Sequence, residues 1–157
     1  MGKPEYHVRI GQVIVGAEGE ILKTVLGSCV GIGLIWKKQN KSVLAHCLLP
    51  YPVSPQEDKD ARYVSLTLPR MLERLGAGPS DYSELEALVA GGGQMMEVEQ
   101  PYTKFVVGEE NLKIAKQCIE KLKIKIVAFQ CGGDQGTKIT LDSSSGHFEV
   151  EKVPKVA

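Results

Sequence analysis

The sequence predicts a mixed α/β fold, and three observations carry that reading. Short apolar stretches rich in β-branched residues recur along the chain, two segments between them have helical periodicity, and glycine clusters separate the pieces. A chain of 157 residues makes about one domain, able to bury roughly two-thirds of its unfolded surface around a single core. One domain over 1–157 is therefore expected, with residues 1–7 loose.

In order, Val8 to Val15 alternates around Gly11 as an early strand, and Gly16 to Glu20 is a turn. Ile21 to Leu26 has buried-strand composition and stops at Gly27-Ser28. Val30 to Trp36 resumes the extended pattern, with Val30, Ile32, Leu34 and Trp36 on one face and Gly31 and Gly33 leaving the other bare. Glycine weakens a strand, so this pair signals close approach of a backbone or ligand, or tight packing against a helix. Lys37 to Lys41 is a polar turn. Ser42 to Leu49 is the next strand, stopped by Pro50 and Pro52, and Tyr51 to Ala61 is a surface loop.

Arg62 to Leu75 places Val64, Leu68, Met71, Leu72 and Leu75 on one helical stripe, with Pro69 as a kink or a junction between two short pieces. Leu85 to Ala90 is a buried strand running into Gly91-Gly92-Gly93, whose N–H groups are candidates to cradle an anion or face a substrate. Phe105 to Gly108 is a short strand before a helix from Glu109 to Leu122, with Leu112, Ala115, Ile119 and Leu122 inward and charges suited to the helix dipole. Ile124 to Gln130 is a strand, Gly132 to Gly136 a turn, and Thr137 to Leu141 with Phe148 to Val153 a closing hairpin.

Nineteen basic residues balance nineteen acidic ones, so no global field favours nucleic acid or an anionic membrane. No apolar run approaches the roughly 20 residues of a membrane span, and the first residues lack a signal-peptide pattern, so a cytoplasmic location is expected. The glycines match neither a phosphate loop nor a dinucleotide fingerprint. The four cysteines, at 29, 47, 118 and 131, form no CxxC pair, so neither a metal nor another cofactor is expected. A zinc site from Cys29, His46, Cys47 and Cys131 lacks the close ligand pairs that make such a pattern specific.

The chemistry is best placed in Thr24 to Pro50, TVLGSCVGIGLIWKKQNKSVLAHCLLP. A thiol is a good nucleophile only as thiolate, and an imidazole within reach can take its proton, so Cys29 and His46 have the residue types of a cysteine hydrolase. The pair alone is a weak signal. His46 and Cys47 point to opposite faces of their strand, so only one of them can look towards Cys29. If Trp36 pairs with Ser42, Cys29 lies opposite Leu49 and His46 is roughly 10 Å out of line. The naive register therefore predicts that Lys37 to Lys41 does not join directly paired strands.

Five blocks in one order then decide the resemblance: Thr24-Val-Leu-Gly-Ser-Cys-Val30, Ala45-His46-Cys-Leu-Leu-Pro50, Gly91-Gly-Gly-Gln-Met95, Val107-Gly-Glu-Glu-Asn111, and Gly132-Gly-Asp-Gln-Gly136 with the closing hairpin. Together they resemble the chemoreceptor glutamine deamidase family of bacterial and archaeal chemotaxis, known as CheD. The resemblance implies a mixed α/β fold with central sheet layers and flanking helices, related to toxin-type glutamine deamidases. It implies hydrolysis of glutamines on methyl-accepting chemotaxis receptors through a thioester, with Cys29 as nucleophile, His46 as general base and acid, and Thr24 orienting the histidine. Backbone N–H groups around Gly27, Ser28 and Cys29 are the expected oxyanion donors.

Some family members carry the threonine one position earlier, where this chain has Lys23. Two other departures bear on substrate and partner fit: Gly93-Gln94 where Ala-Asn is common, and Thr137 where arginine is common. The family also binds the phosphatase CheC, which makes it a candidate partner. The contrasting reading is a regulatory module that docks on CheC or a receptor without turnover. Such a module has no need of a thiol and imidazole pair.

Overall fold

The computed structural model describes residues 2–52, 60–94 and 107–154. Its strands form two mixed sheets. The first contains β1 (Glu5–His7), β3 (Ile21–Leu26), β8 (Gly136–Asp142) and β9 (Phe148–Val153), in the order β1-β3-β8-β9. The second contains β2 (Val13–Gly16), β4 (Val30–Trp36), β5 (Lys41–Cys47), β6 (Glu86–Gly91) and β7 (Lys125–Cys131), in the order β2-β5-β4-β6-β7. Helices α1 (Val64–Leu75) and α2 (Val107–Lys121) complete the layers. Among the described residues no helix is long and apolar enough to cross a membrane.

Period-2 alternation assigns the faces. Along β4, Val30, Ile32, Leu34 and Trp36 join Val43, Ala45 and Cys47 of β5 in a core completed by Val64, Leu68, Met71 and Leu72 of α1 and by Leu112, Ala115 and Ile119 of α2. The opposite face meets the four-stranded sheet, where Leu22 and Leu26 of β3 and Ile139 and Leu141 of β8 pack with Ile35, Leu44, Leu88 and Ala90. The order of layers is sheet, sheet, helices. β4, covered on both sides, is buried along its whole length.

That arrangement accounts for Gly31 and Gly33. A Cβ on Gly31 would lie 2.6 Å from Ile139 Cδ1 and 2.9 Å from Leu26 Cδ1, and one on Gly33 would lie 2.9 Å from Leu88 Cγ. The glycines leave room for large side chains between the sheets. The packing is tight, as one sequence alternative had it, but against strands rather than a helix.

Four local expectations are corrected. Residues 1–7 are not all loose: Glu5–His7 pairs in parallel with Ile21–Lys23, fastened by a 2.6 Å ion pair between Lys23 and Glu5. The strand expected from Val8 to Val15 forms only from Val13 on, as β2; residues 8–12 turn through Gly11 at φ +82° and carry the chain from β1 of one sheet to β2 of the other. Pro69 lies inside one continuous helix, not at a junction between two, and that helix ends at Gly76 with φ +80°. Finally, β4 and β5 are direct antiparallel neighbours, with Trp36 opposite Lys41. A 3-10 turn over Lys37–Gln39 and a left-handed Asn40 close the link in four residues.

Of the other expectations, most of the loop from Tyr51 to Ala61 and Phe105–Val106 of the short strand lie outside the described residues, while Val107 and Gly108 begin α2. A 3-10 segment, Pro79–Glu84, precedes β6.

Because Gly31 is in contact with side chains of the facing sheet, Gly31→Val should overpack the interface at a cost of about 1–3 kcal/mol. Thermal unfolding should then begin several degrees lower, whereas an unchanged melting curve would mean that the two sheets can separate freely at this point.

Candidate active site

The site is built where the chain leaves one sheet for the other. Thr24 sits on β3 between inward-facing Leu22 and Leu26, so its side chain points at the facing sheet, where it is fully buried. Lys23 points outward to Glu5. His46 sits on β5, opposite Gly31 of β4, with its backbone N–H donated to Gln12 O at 3.1 Å and its carbonyl accepting from Gly11 at 2.8 Å. Histidine 46 is 4% exposed, so its ring must find partners within the protein.

It finds one across the sheets. Thr24 Oγ1 lies 2.7 Å from His46 Nδ1 and 2.7 Å from the carbonyl oxygen of Val8. A hydroxyl has one proton, and the Val8 carbonyl can only accept. The threonine proton therefore goes to Val8, and Nδ1 must carry its own proton to donate to Oγ1. This network assigns the tautomer: Nε2 is the unprotonated nitrogen, and it is buried without a hydrogen-bond partner.

Cys29 occupies the bend between β3 and β4 and is 7% exposed. The observed register decides which way it looks. With Trp36 opposite Lys41, Val30 is opposite Cys47 and Gly31 opposite His46, so Cys29 falls two positions from His46. An even offset keeps both on the face between the sheets, whereas the three-residue offset of the naive pairing would have separated them. Cys29 and His46 are not hydrogen-bonded to each other, since Nε2 has no partner. Catalytic hydrogen bonds are often loose until substrate is bound.

Cys47 shows the contrast. It lies in the helix-facing core, fully buried, with its Sγ 3.6 Å from Thr67 Oγ1, and burial pushes its thiol up to about 12. It cannot share a metal site with Cys29 and His46 on the opposite face. Burial also raises the Cys29 thiol above the ordinary value. The His46 imidazolium is disfavoured chiefly by burial and also by nearby His7, against a smaller opposing contribution from the Val8 carbonyl. Both shifts favour a resting pair of neutral thiol and neutral imidazole.

The bend that carries Cys29 is held from its carbonyl side. Gly93 N–H donates to Gly27 O at 3.0 Å, Gly92 N–H to Cys29 O at 2.9 Å, and Asn111 Nδ2 to Ser28 O at 3.2 Å. A Cβ on Gly91 would collide with the Cys29 carbonyl oxygen, and one on Gly108 with that of Gly92, so these segments meet backbone to backbone. The Gly92 and Gly93 N–H groups therefore support the bend; they are not open to an anion or substrate. Among the described residues, the N–H groups of Ser28 and Cys29 have no acceptor, and Gly27 precedes them in the same bend.

Asn111 is the residue that sequence periodicity passed over. It is fully buried on α2, and Nδ2 also donates to Leu48 O at 3.1 Å. Its signal was a polar residue one helical turn before Ala115, on the inward side of the apolar stripe. His7 and His147 are exposed.

A family model described as CheD chemotactic sensory transduction matches residues 48–152. Over 153 residues, 98% of this chain and 97% of the relative, the sequence is 62% identical to a Bdellovibrio bacteriovorus protein named probable chemoreceptor glutamine deamidase CheD. The chain belongs to the CheD family. Its similarity extends to a Ruegeria protein named probable chemoreceptor glutamine deamidase CheD 2, 31% identical over 97% of this chain and 94% of that one. A Pyrococcus horikoshii protein of the same name as the Bdellovibrio relative is 37% identical, over 95% and 93% of the two chains. In architecture this CheD chain resembles the crystal structure of a Neisseria meningitidis protein of the DUF152 family, at a TM-score of 0.50 and 9% identity. The match covers 82% of this chain and 63% of that longer one, and it bears on the fold alone.

Two measurements follow from the geometry. Thr24→Val should destabilise the protein by about 1–3 kcal/mol by leaving buried polar groups unpaired; in urea titration Thr24→Ser should stay near the parent, and equal stability of all three proteins would contradict the assigned network. Alkylation of Cys29 by iodoacetamide, followed by peptide mass, should accelerate with pH to a midpoint above that of a free cysteine. A midpoint below neutrality would instead indicate a resting thiolate and imidazolium.

Proposed function

We propose that this CheD chain hydrolyses specific glutamine side chains of methyl-accepting chemotaxis receptors to glutamate, with Cys29 as nucleophile. The observation that carries the mechanism is the hydrogen bond between Thr24 and His46. It leaves Nε2 as a free base on the face that Cys29 shares. The names of the CheD relatives supply the substrate class.

His46 Nε2 takes the Cys29 thiol proton as Sγ attacks the side-chain amide carbon of glutamine. The amide oxygen becomes an oxyanion, and the unoccupied N–H groups of Ser28 and Cys29, with Gly27 in the same bend, are its donors. The carbon–nitrogen bond breaks as Nε2–H protonates the departing nitrogen, releasing ammonia and leaving a thioester. Nε2 then deprotonates a water, which adds to the thioester carbon. Expulsion of the thiolate yields glutamate, and the proton returns to Sγ.

Thr24 acts through His46. When Nε2 gains a proton, the ring becomes a cation and its Nδ1–H a stronger donor, so the bond to Oγ1 tightens. Oγ1 is itself polarised because its proton is committed to the Val8 carbonyl. The threonine thus holds the tautomer and ring orientation without adding a buried negative charge. Since neutral thiol and imidazole are the resting forms, proton transfer belongs to the attack step and does not precede it.

Glutamate differs from glutamine by a negative charge on the receptor helix and is a site that can be methylated, so the reaction alters electrostatics between receptor helices and their signalling bias.

Purified receptor cytoplasmic fragments incubated with the protein should release ammonia, and peptide mass mapping should find defined glutamines converted to glutamate. Cys29→Ala should slow the reaction by a factor on the order of 10³ or more. Equal conversion by parent and Cys29→Ala would remove Cys29 from the mechanism, and no conversion by the parent would remove the receptor as substrate.

A further inference from the structure

We infer that Asn111 is a positioning residue of the active site, tying the Cys29 bend to the end of the His46 strand; the inference rests on the deamidase reading above. The ladder between β4 and β5 ends at Val30 opposite Cys47. One position farther, Cys29 comes opposite Leu48, but Leu48 N–H turns away and donates to Arg62 O at 3.1 Å. Beyond the Val30 and Cys47 pair, no backbone hydrogen bond among the described residues joins Ser28 or Cys29 to Leu48. Asn111 supplies the connection: one Nδ2 reaches Ser28 O at 3.2 Å and Leu48 O at 3.1 Å.

The orientation of the amide is settled by its partners. Both are carbonyl oxygens and need a donor, so Nδ2 faces them and Oδ1 faces away. Oδ1 is fully buried and has no partner. Burying an unpaired acceptor has a cost comparable to the gain from two hydrogen bonds between neutral groups. The asparagine's own balance is therefore near even, but its removal would leave the Ser28 and Leu48 carbonyls without a donor. What an apolar residue cannot do is fix the distance between Ser28 and Leu48.

Those two residues flank the reacting pair, Ser28 immediately before Cys29 and Leu48 two residues after His46. A clamp on both carbonyls fixes the separation of Sγ and Nε2 from behind. It also keeps the Ser28 carbonyl turned towards α2, and with it the orientation of the peptide whose N–H belongs to Cys29. Loss of the clamp lets the bend and strand end drift apart, which lowers the rate of attack more than it weakens substrate binding.

The test compares the parent with Asn111→Ala and Asn111→Asp, which retains the shape but replaces the donor by an acceptor. Three readouts are taken: ammonia release from receptor fragments, the pH profile of Cys29 alkylation by iodoacetamide, and thermal unfolding. Both variants should stay folded at the assay temperature but melt several degrees below the parent, Asn111→Asp the lower because its acceptor faces two carbonyls. They should lose on the order of tenfold to a hundredfold in kcat with KM nearly unchanged, and shift the alkylation profile towards that of His46→Ala.

Either a folded variant with parental kcat or a reduced kcat with an unshifted alkylation profile would overturn the assignment. If only one of the two variants folds, that one decides by the same criteria. A marked loss of thermal stability in both, with parental alkylation, would make Asn111 a structural residue and also overturn it. If the parent releases no ammonia from receptor fragments, the deamidase reading fails separately, while alkylation and melting still decide whether Asn111 governs the Cys29 and His46 geometry.

Discussion

The hydrogen bond from His46 to Thr24 crosses from one β-sheet to the other, and its formation requires the two sheets to be set face to face at a definite distance. Only then does a hydroxyl on β3 meet a ring on β5. The glycines of β4 make that spacing possible by admitting Leu26, Leu88 and Ile139 between the layers. The Val8 carbonyl fixes the direction of the hydroxyl, and through it which ring nitrogen is left bare. The chemical capacity of the site is thus a property of the sandwich as a whole, with each partner supplied by a different strand or its flanking segment.

Cys29 is positioned differently. Cys29 stands on a bend, and bends are ordinarily the freer parts of a fold. Here the three consecutive carbonyls of Gly27, Ser28 and Cys29 are each held, two by the glycine segment after β6 and one by Asn111 from α2. Gly91 and Gly108 permit this because their missing Cβ atoms let main chains touch. The glycine blocks that look in sequence like ligand loops are instead the means by which backbone supports backbone. The support is on the carbonyl side, so N–H groups are the ones left available.

Much of this is legible in the amino-acid sequence. The period-2 pattern and composition marked β3 and β4 with their observed limits, and the helical stripe marked α1, because burial of apolar side chains determines both. What pattern could not yield was pairing. Neither the parallel contact of Glu5–His7 with β3 nor the partner of Trp36 is encoded in hydrophobic periodicity, and the latter error of one residue put His46 on the wrong side relative to Cys29. Thr24 and His46 came from a motif, but the bond between them needed two sheets in register across a gap. The role of Asn111 escapes hydrophobic periodicity for a simpler reason: it is a polar residue on the buried side of an apolar stripe.

The four-residue link from Lys37 to Asn40 then takes on a meaning its surface position conceals. It contributes no atom to the site and lies at the far end of β4 and β5. Yet its length decides parity along both strands. One added residue, if absorbed by the pairing, would exchange inward and outward side chains along β5 and present Ala45 where His46 now stands. Two would restore the face but displace the imidazole by roughly 7 Å along the strand. The link behaves as a reading frame for the active site, and a loop open to chemical variation is in that respect closed to variation in length.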